Sequence, residues 1–590
     1  MSDPKNNKIL DTEISKEPLA VTIPENDSEW ADVVKWVTYA PIQAEEFGIT
    51  SKNLNEVIAH STNPAINRFL GLEDNLGKEL GLNKDFVTNI IKQVGNYDEI
   101  YNRNFPGLER DRNHLWEDDG LLYSPPFAGT LPDKFTLTDN NNRNLFQEIK
   151  ERGKVKLGVT GNFPGFAVQN ADGKWQGFDI ELGKAVAAAV FGDPNQLEVT
   201  VVQNFSQGFD DVANGAIDIF AAGITNNLVR DAARGVDFSP TYLYTGQDFV
   251  VRKDSGISLI SDLNGRKIGI TNSTSGLQNI RDYLAKFGGS FIPQTFATIA
   301  EMLDAYDRGE IDAISTDQPI IAGLITKLSN PDDHKLLNNV ISKEPLALAI
   351  DENQSAWGDL IRWVTYSLVQ AEEFGISSEN IQNLVEINTD NDPTNNSTDE
   401  IRTFLGIDSN IGKGLEISND FVVNIIKAVG NYGEIYKRNF GSSILNRDEN
   451  KLYLDYGLQY SPPFAVNSIA ATVTRQNAIA SLAENVYTSK GLKVADITID
   501  KEGLGKESLI LKNTDVDLFE IRGKELFLKA GALLDFETNP QLDITIEVNE
   551  PGFNNEIKSS ASISIAITDI NESPVTLSLT KSEEGKTCFV

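Results

Sequence analysis

The stretch IDIFAAGITNNLVRD, residues 217–231, decides how this chain folds. Its first nine residues read as a strand, and Arg230 follows five residues after Thr225, where a helix opens. Elements of the same two kinds alternate on either side. Upstream, LFQEIKERG from Leu145 is an amphipathic helix, KVKLGVTG a strand, FDIELGKAVAAAVFG an alanine-rich helix, LEVTVVQ a strand and FDDVANG a short helix. Downstream, after FVVRKDSG, the pattern restarts: strand KIGIT, helix SGLQNIRDYLAKF, strand FIPQTF, helix IAEMLDAYDRG, strand IDAIST and helix PIIAGLITKL. Such alternation predicts parallel-rich sheets covered on both faces, and its restart predicts two α/β lobes. Extended crossings near Gln247 to Lys253 and Pro345 to Ile350 would make a hinge. Ligands of α/β folds sit at the C-terminal ends of strands, so the cleft between the lobes is the expected site.

The chain has 590 residues, too many for one core, so two to four domains are expected. With 40% hydrophobic and 23% charged residues it is a folded protein, leaving disorder to ends and linkers. Its net charge of −34 comes without any Lys/Arg-rich run, so phosphate backbones and anionic lipid faces are repelled and nucleic acid is not an expected partner. The single cysteine, Cys588, excludes an internal disulfide. No run of about eighteen apolar residues occurs, and MSDPKNNKIL has neither a basic n-region nor an apolar h-region. No signal peptide is therefore expected in this reading frame.

An internal repeat organises the front of the chain. ISKEPLA occurs at Ile14 and Ile341, an offset of 341 − 14 = 327 that also links Trp30 to Trp357 and AEEFGI at Ala44 to AEEFGI at Ala371. After an insertion around Asp390 to Ser397, Phe69-Leu70-Gly71 matches Phe404-Leu405-Gly406 and VGNY at Val94 matches VGNY at Val429, up to YSPPFA ending at Ala128 and Ala465. Residues 1–128 are thus a partial duplicate of the C-terminal part of the unit at 145–465, whose second lobe covers about 254–344. Two readings stand: a remnant without its partner strands, or a helical accessory packed on the complete unit. Residues 129–144, GTLPDKFTLTDNNNRN, are polar and turn-forming and read as a linker.

Phe163 with Gly165-Phe166, GFDIEL at Gly177, FAAGITNNLVRD ending at Asp231 and IDAISTD ending at Asp317 occur in an order that resembles the periplasmic amino-acid-binding proteins of ABC transporters. ISKEPL, AEEFGI, VGNYGEIY and YSPPFA resemble their general L-amino-acid-binding branch, within the bacterial solute-binding proteins of family 3. The resemblance implies a type II two-lobed fold that closes on a free amino acid, without a cofactor. A zwitterion leaving water needs both charges paired. Arg230 would grip the carboxylate with Thr225, or it is a solvated residue opening a helix. Asp317 would accept the ammonium, cap the helix PIIAGLI, or do both. By resemblance the Gly223 carbonyl would share that ammonium; otherwise Gly223 is a close-packed strand glycine. Ser273, Thr274 and Ser275 precede a helix and would present its N-terminus to the carboxylate, or simply cap it. Phe163 and Phe205 match aromatics that sandwich the ligand side chain, against the alternative of core packing. Where the branch carries Arg-Asn-Thr-Thr-Trp-Thr this chain has AGITNN (Ala222 to Asn227), closer to glutamine binders, yet Thr271 and Thr316 are neutral where those carry Lys and His.

Beyond Ala465 the strands LKVADITI, SLILKN, LFEIRG, ELFLKA, LDITIEV and ASISIAITDI predict an all-β sandwich of about seven short strands over 466–574, followed by a tail at 575–590. LAENV at Leu482, LDFET at Leu534 and DINESP at Asp569 resemble a cadherin-like repeat. That resemblance makes Glu484, Asp535, Glu537, Asp569, Asn571 and Glu572 candidate Ca²⁺ ligands, against the reading of acidic turn residues on an acidic protein. Few residues follow Pro574, so three readings stand: Ca²⁺ binding is weak, it is absent, or the site is completed by another chain, such as another cadherin-like repeat.

The function implied is capture of a free L-amino acid in the periplasm or outside the cell, for delivery to an ABC-transporter permease. The alternative is a calcium-dependent surface adhesion or scaffold protein with a secondary binding unit. An enzyme is not expected: His60, His114 and His334 lie away from the cleft motifs, and no Ser/His/Asp arrangement, Walker loop or CxxC occurs.

Overall fold

The computed structural model describes residues 16–25, 27–127, 143–161, 163–233, 235–272, 274–285, 289–337, 339–389, 397–407, 409–441, 447–464, 472–500, 508–549 and 560–570. Most of the expected linker, the 575–590 tail, Ser273, Asn571 and Glu572 lie outside these residues. The chain divides into two compact units, 1–464 and 465–590.

The first-copy tail forms helices α1 (Ser28–Glu46), α2 (Leu54–His60), α3 (Pro64–Phe69), α4 (Phe86–Val94) and α5 (Tyr97–Asn104). The first lobe follows as α6 (Leu145–Arg152), β1 (Val155–Val159), β2 (Val168–Gln169), β3 (Trp175–Gln176), α7 (Phe178–Phe191), β4 (Leu197–Val201), α8 (Phe205–Ala213), β5 (Ile219–Thr225), α9 (Leu228–Ala233), β6 (Val236–Phe238) and β7 (Leu243–Thr245). The second lobe contains β8 (Gln247–Arg252), β9 (Lys267–Thr271), α10 (Gly276–Ala285), β10 (Ile292–Phe296), α11 (Ile299–Asp307), β11 (Ala313–Asp317), α12 (Gln318–Ile325) and β12 (His334–Leu336). The chain returns through β13 (Glu344–Asp351) to α13 (Ser355–Glu373), α14 (Ile381–Thr389), α15 (Asp399–Phe404), α16 (Phe421–Val429) and α17 (Tyr432–Phe440).

The two lobes repeat one sheet plan. In the first, β1 lies between β4 and β5, parallel to both, and β13 pairs antiparallel with β5. In the second, β9 lies between β10 and β11, parallel to both, and β8 pairs antiparallel with β11. Each crossing strand thus joins the sheet it enters by pairing with that lobe's third parallel strand, and carries further antiparallel strands on its other edge. Because β8 is bonded to β11 and β12, the second sheet begins at Gln247, before residue 254. The crossings also place the ends of β5 and β11, Thr225 and Asp317, beside the hinge.

Helix α7 is buried along nearly its whole length, between β1 and β5 on one side and α16 on the other. Its run Ala187 to Ala189 explains this, since small side chains let a helix be covered on opposite faces. The first-copy helices have a separate core of Trp36, Ala40, Phe69, Val87, Ile91 and Phe127, which Leu228 and Val229 of α9 complete. The first copy is therefore packed on the first lobe as a helical accessory.

In the second unit, β14 (Thr472–Gln476), β15 (Ser481–Ala483), β16 (Leu492–Asp500), β17 (Ser508–Lys512), β18 (Phe519–Arg522), β19 (Glu525–Leu528), β20 (Gln541–Asn549) and β21 (Ser560–Thr568) form two four-stranded sheets, β14-β16-β19-β18 and β15-β21-β20-β17. Strand β21 alternates buried and exposed residues, and Ile563, Ile565 and Ile567 meet Val494, Ile497 and Leu526 of the other sheet in one core.

Candidate ligand cleft between the lobes

A cavity of about 870 Å³ opens between the lobes. Of the residues expected there, Phe163, Phe205, Gly223, Thr225 and Arg230 line it from the first lobe and Thr274, Ser275 and Asp317 from the second, while Ser273 lies outside the described residues.

The first-lobe wall is built at the end of β5. Gly223 has φ +58°, a left-handed conformation that favours glycine, and a Cβ there would stand 3.2 Å from the Phe163 ring. Asp179 of α7 holds this bend by accepting the Gly223 N–H at 3.3 Å, while the Tyr242 hydroxyl donates to its other oxygen at 2.7 Å. Burial raises the Asp179 carboxyl to about 7. Arg230 is 3% exposed; its N–H is capped by Asn227 Oδ1 at 3.0 Å and its guanidinium donates to the Thr225 carbonyl at 2.9 Å. Burial lowers its pKa, while the fields of Glu344 and Asp317 raise it, so this cation is held in a poorly solvated place and oriented by its own strand.

Across the cleft, Asp317 stands at the N-cap of α12 with Pro319 in the first turn, yet its side chain makes no cap hydrogen bond. Burial, then the negative field of Glu344, pushes its pKa well up, and Arg230 opposes both. A cationic group entering the cleft would favour its ionised form. Thr274 is tied locally, donating to the Thr271 carbonyl at 2.9 Å and accepting from the Gly276 N–H. Phe163 stacks obliquely on Phe166, 5.5 Å between ring centres, and Phe205 meets Phe220 edge-on at 6.2 Å, so each aromatic serves the core with one side and the cavity with another.

The sequence reading missed Glu344, the first residue of β13. Its carboxylate is buried and accepts from Thr225 Oγ1 of the first lobe, from Ser275 Oγ (3.2 Å) and Asn279 Nδ2 of the second, and from Ser342 Oγ (2.9 Å). It ties both lobes at the hinge, and its signal was the repeated ISKEPLA motif itself. Gln247, at the start of the other crossing, lines the cavity and bridges Ser315 Oγ (2.8 Å), the Gly276 carbonyl and Asn279. Lys327, after α12, also lines the cavity with a pKa lowered by burial.

In the second unit, carboxylate oxygens of Glu484, Asp535 and Glu537 lie within 4.8 Å of one another. Glu484 accepts from the Phe536 and Ile570 N–H groups, and the Asp535 side chain accepts from Thr538. The charges of Glu484 and Asp569 help raise Glu537. No helix among the described residues is long and apolar enough to cross a membrane.

Comparison with known proteins agrees with this geometry. Residues 155–442 match the family model "Bacterial extracellular solute-binding proteins, family 3". The general L-amino acid-binding periplasmic protein AapJ of Rhizobium johnstonii is 37% identical over 321 residues, 54% of this chain and 91% of that protein. The glutamate/glutamine/aspartate/asparagine-binding protein BztA of Rhodobacter capsulatus is 35% identical over 320 residues, 54% of this chain and 92% of its own. A solved ABC transporter/periplasmic binding protein from Brucella ovis with glutathione bound superposes with TM-score 0.52 at 35% identity, covering 55% of this chain and all of that one. The two-lobed type II fold, the hinge strands and these matches together make this chain a member of the bacterial extracellular solute-binding proteins, family 3.

Proposed function

We propose that this chain captures a free α-amino acid in the interlobe cleft, outside the cytoplasm, and presents it to an ABC-transporter permease without altering it. The observation that carries this reading is charge placement: Arg230 from one lobe and Asp317 from the other face a single cavity and sense each other's field. A carboxylate and an ammonium on one carbon satisfy both, and only with the lobes together, which makes closure depend on the ligand. The names of AapJ and BztA, both amino-acid binders, support it. Thr271, Thr316, Gln203 and Asn204 add neutral hydrogen-bonding groups to the lining and Lys327 adds one cation, which favours polar side chains. Titration calorimetry against the twenty amino acids tests the reading. Binding of at least one is expected, and Arg230→Ala should weaken it by about 2–5 kcal/mol, the effect of leaving a buried charge unpaired. An Arg230→Ala protein with unchanged affinity would refute the assignment.

In the β unit we propose a Ca²⁺ site on Glu484, Asp535 and Glu537. Three hard carboxylates within one ion's reach, with Asp569 adding to the negative field, suit a cation that prefers oxygen.

A further inference from the structure

The two copies of the helical tail hold each other reciprocally. Lys343, in the return crossing of the complete unit, places its ammonium on Glu46, on Gln43 Oε1 (3.5 Å), on the Ser124 carbonyl (2.6 Å) and over the Tyr123 ring (4.8 Å), all in the first copy. Lys16, its counterpart 343 − 16 = 327 positions earlier, meets Glu373, Gln370 Oε1 (3.1 Å), the Ser461 carbonyl (2.7 Å) and the Tyr460 ring (5.1 Å), all in the second copy. Both receiving cages are assembled alike: Gln43 donates to Glu46 as Gln370 does to Glu373, and the Ser124 and Ser461 N–H groups bond those same glutamates. When a lysine of one copy enters the cage of the other and the reverse also holds, the contact has the form of an isologous two-fold interface. Tyr39, whose pKa is raised chiefly by burial, also feels the charge of its counterpart Tyr366, as a residue flanking such an axis would.

A second observation has the same symmetry. Trp36 of the first copy is fully buried on Leu228 and Val229 and donates to Asp231 Oδ2 at 2.7 Å, while Lys35 pairs with Asp231 and Asp237. Their counterparts on the complete unit, Arg362 and Trp363, are only partly covered. Among the described residues there is no second first-lobe to cover them.

We propose that the complete unit carries a self-association surface for a second copy of itself, and that in this chain the fused first copy occupies that surface in the partner's place. A unit relieved of the first copy pairs through exchanged Lys343 and Glu373, with Arg362 and Trp363 of each seated on Leu228, Val229, Asp231 and Asp237 of the other.

Residues 145–464 can be tested alone, because three of the hydrophobic cores draw their buried residues from this span and none from the first copy. Sedimentation velocity should show that fragment as a dimer and the full chain as a monomer. Glu373→Lys in the fragment should give monomers, and the double variant K343E/E373K should restore the dimer, since each reversed pair again meets its complement across the axis. A fragment that stays monomeric with native circular dichroism overturns the proposal. So does a dimer indifferent to both substitutions, or a full chain that dimerises as strongly as the fragment.

Discussion

Asp179 shows how much of the cleft is decided by a single side chain behind it. It touches neither cavity nor solvent, yet it fixes Gly223 and Tyr242, and it was legible in the sequence only as the aspartate of GFDIEL. Burial lifts its carboxyl from the ordinary 3.8 to about 7, so the folded state favours the protonated form. The stabilisation from that preference is complete below about pH 4 and is lost as pH rises to about 7. Urea midpoints between pH 5 and 8 should therefore fall more steeply for the wild type than for Asp179→Asn; parallel curves would contradict the raised value. Arg230, Asp317 and Thr225 were readable because each sits beside a strand end that the β/α alternation locates, whereas Phe163 and Phe205 were readable only through the resemblance of their motifs. Glu344 was not, because a carboxylate opening a crossing strand reads as surface until the hydroxyls of two distant segments are found around it.

Among the elements, α1 and α13 are related in sequence and both bury their last turns, Ala40 to Ala44 and Ser367 to Ala371, but upstream of these they bury different positions. Trp36 and Trp363 both pack edge-on against the phenylalanine of YSPPFA, Phe127 and Phe464, at 5.1 and 4.9 Å between ring centres. Trp357 of α13 is fully buried on the complete unit, whereas its counterpart Trp30 is 49% exposed. A shared sequence fixes the packing inside each tail, while the lobe against which it rests selects the outer face. Trp36→Ala removes a fully buried indole and the donor to Asp231, and should cost about 3–5 kcal/mol in guanidinium unfolding. Trp363→Ala should cost clearly less, because that ring is already partly in water.

Over the whole molecule, the separate cores of residues 1–464 and 465–590 predict two calorimetric transitions. A bound amino acid should raise only the first, by the mass-action amount set by its affinity, and Ca²⁺ only the second; a single transition moved by both would deny the independence of the units. The two lobes, the order of their elements, the duplicated tail and the β character of the last unit were all carried by local signals: apolar periodicity, turn residues and repeated motifs. These depend on neighbours along the chain, so they survive without coordinates. The convergence of Arg230 with Asp317, the lobe-bridging hydrogen bonds of Glu344 and the exchange of Lys16 and Lys343 between copies depend on segments up to 357 positions apart. Long-range closure decides which charges meet, and no local pattern encodes that meeting.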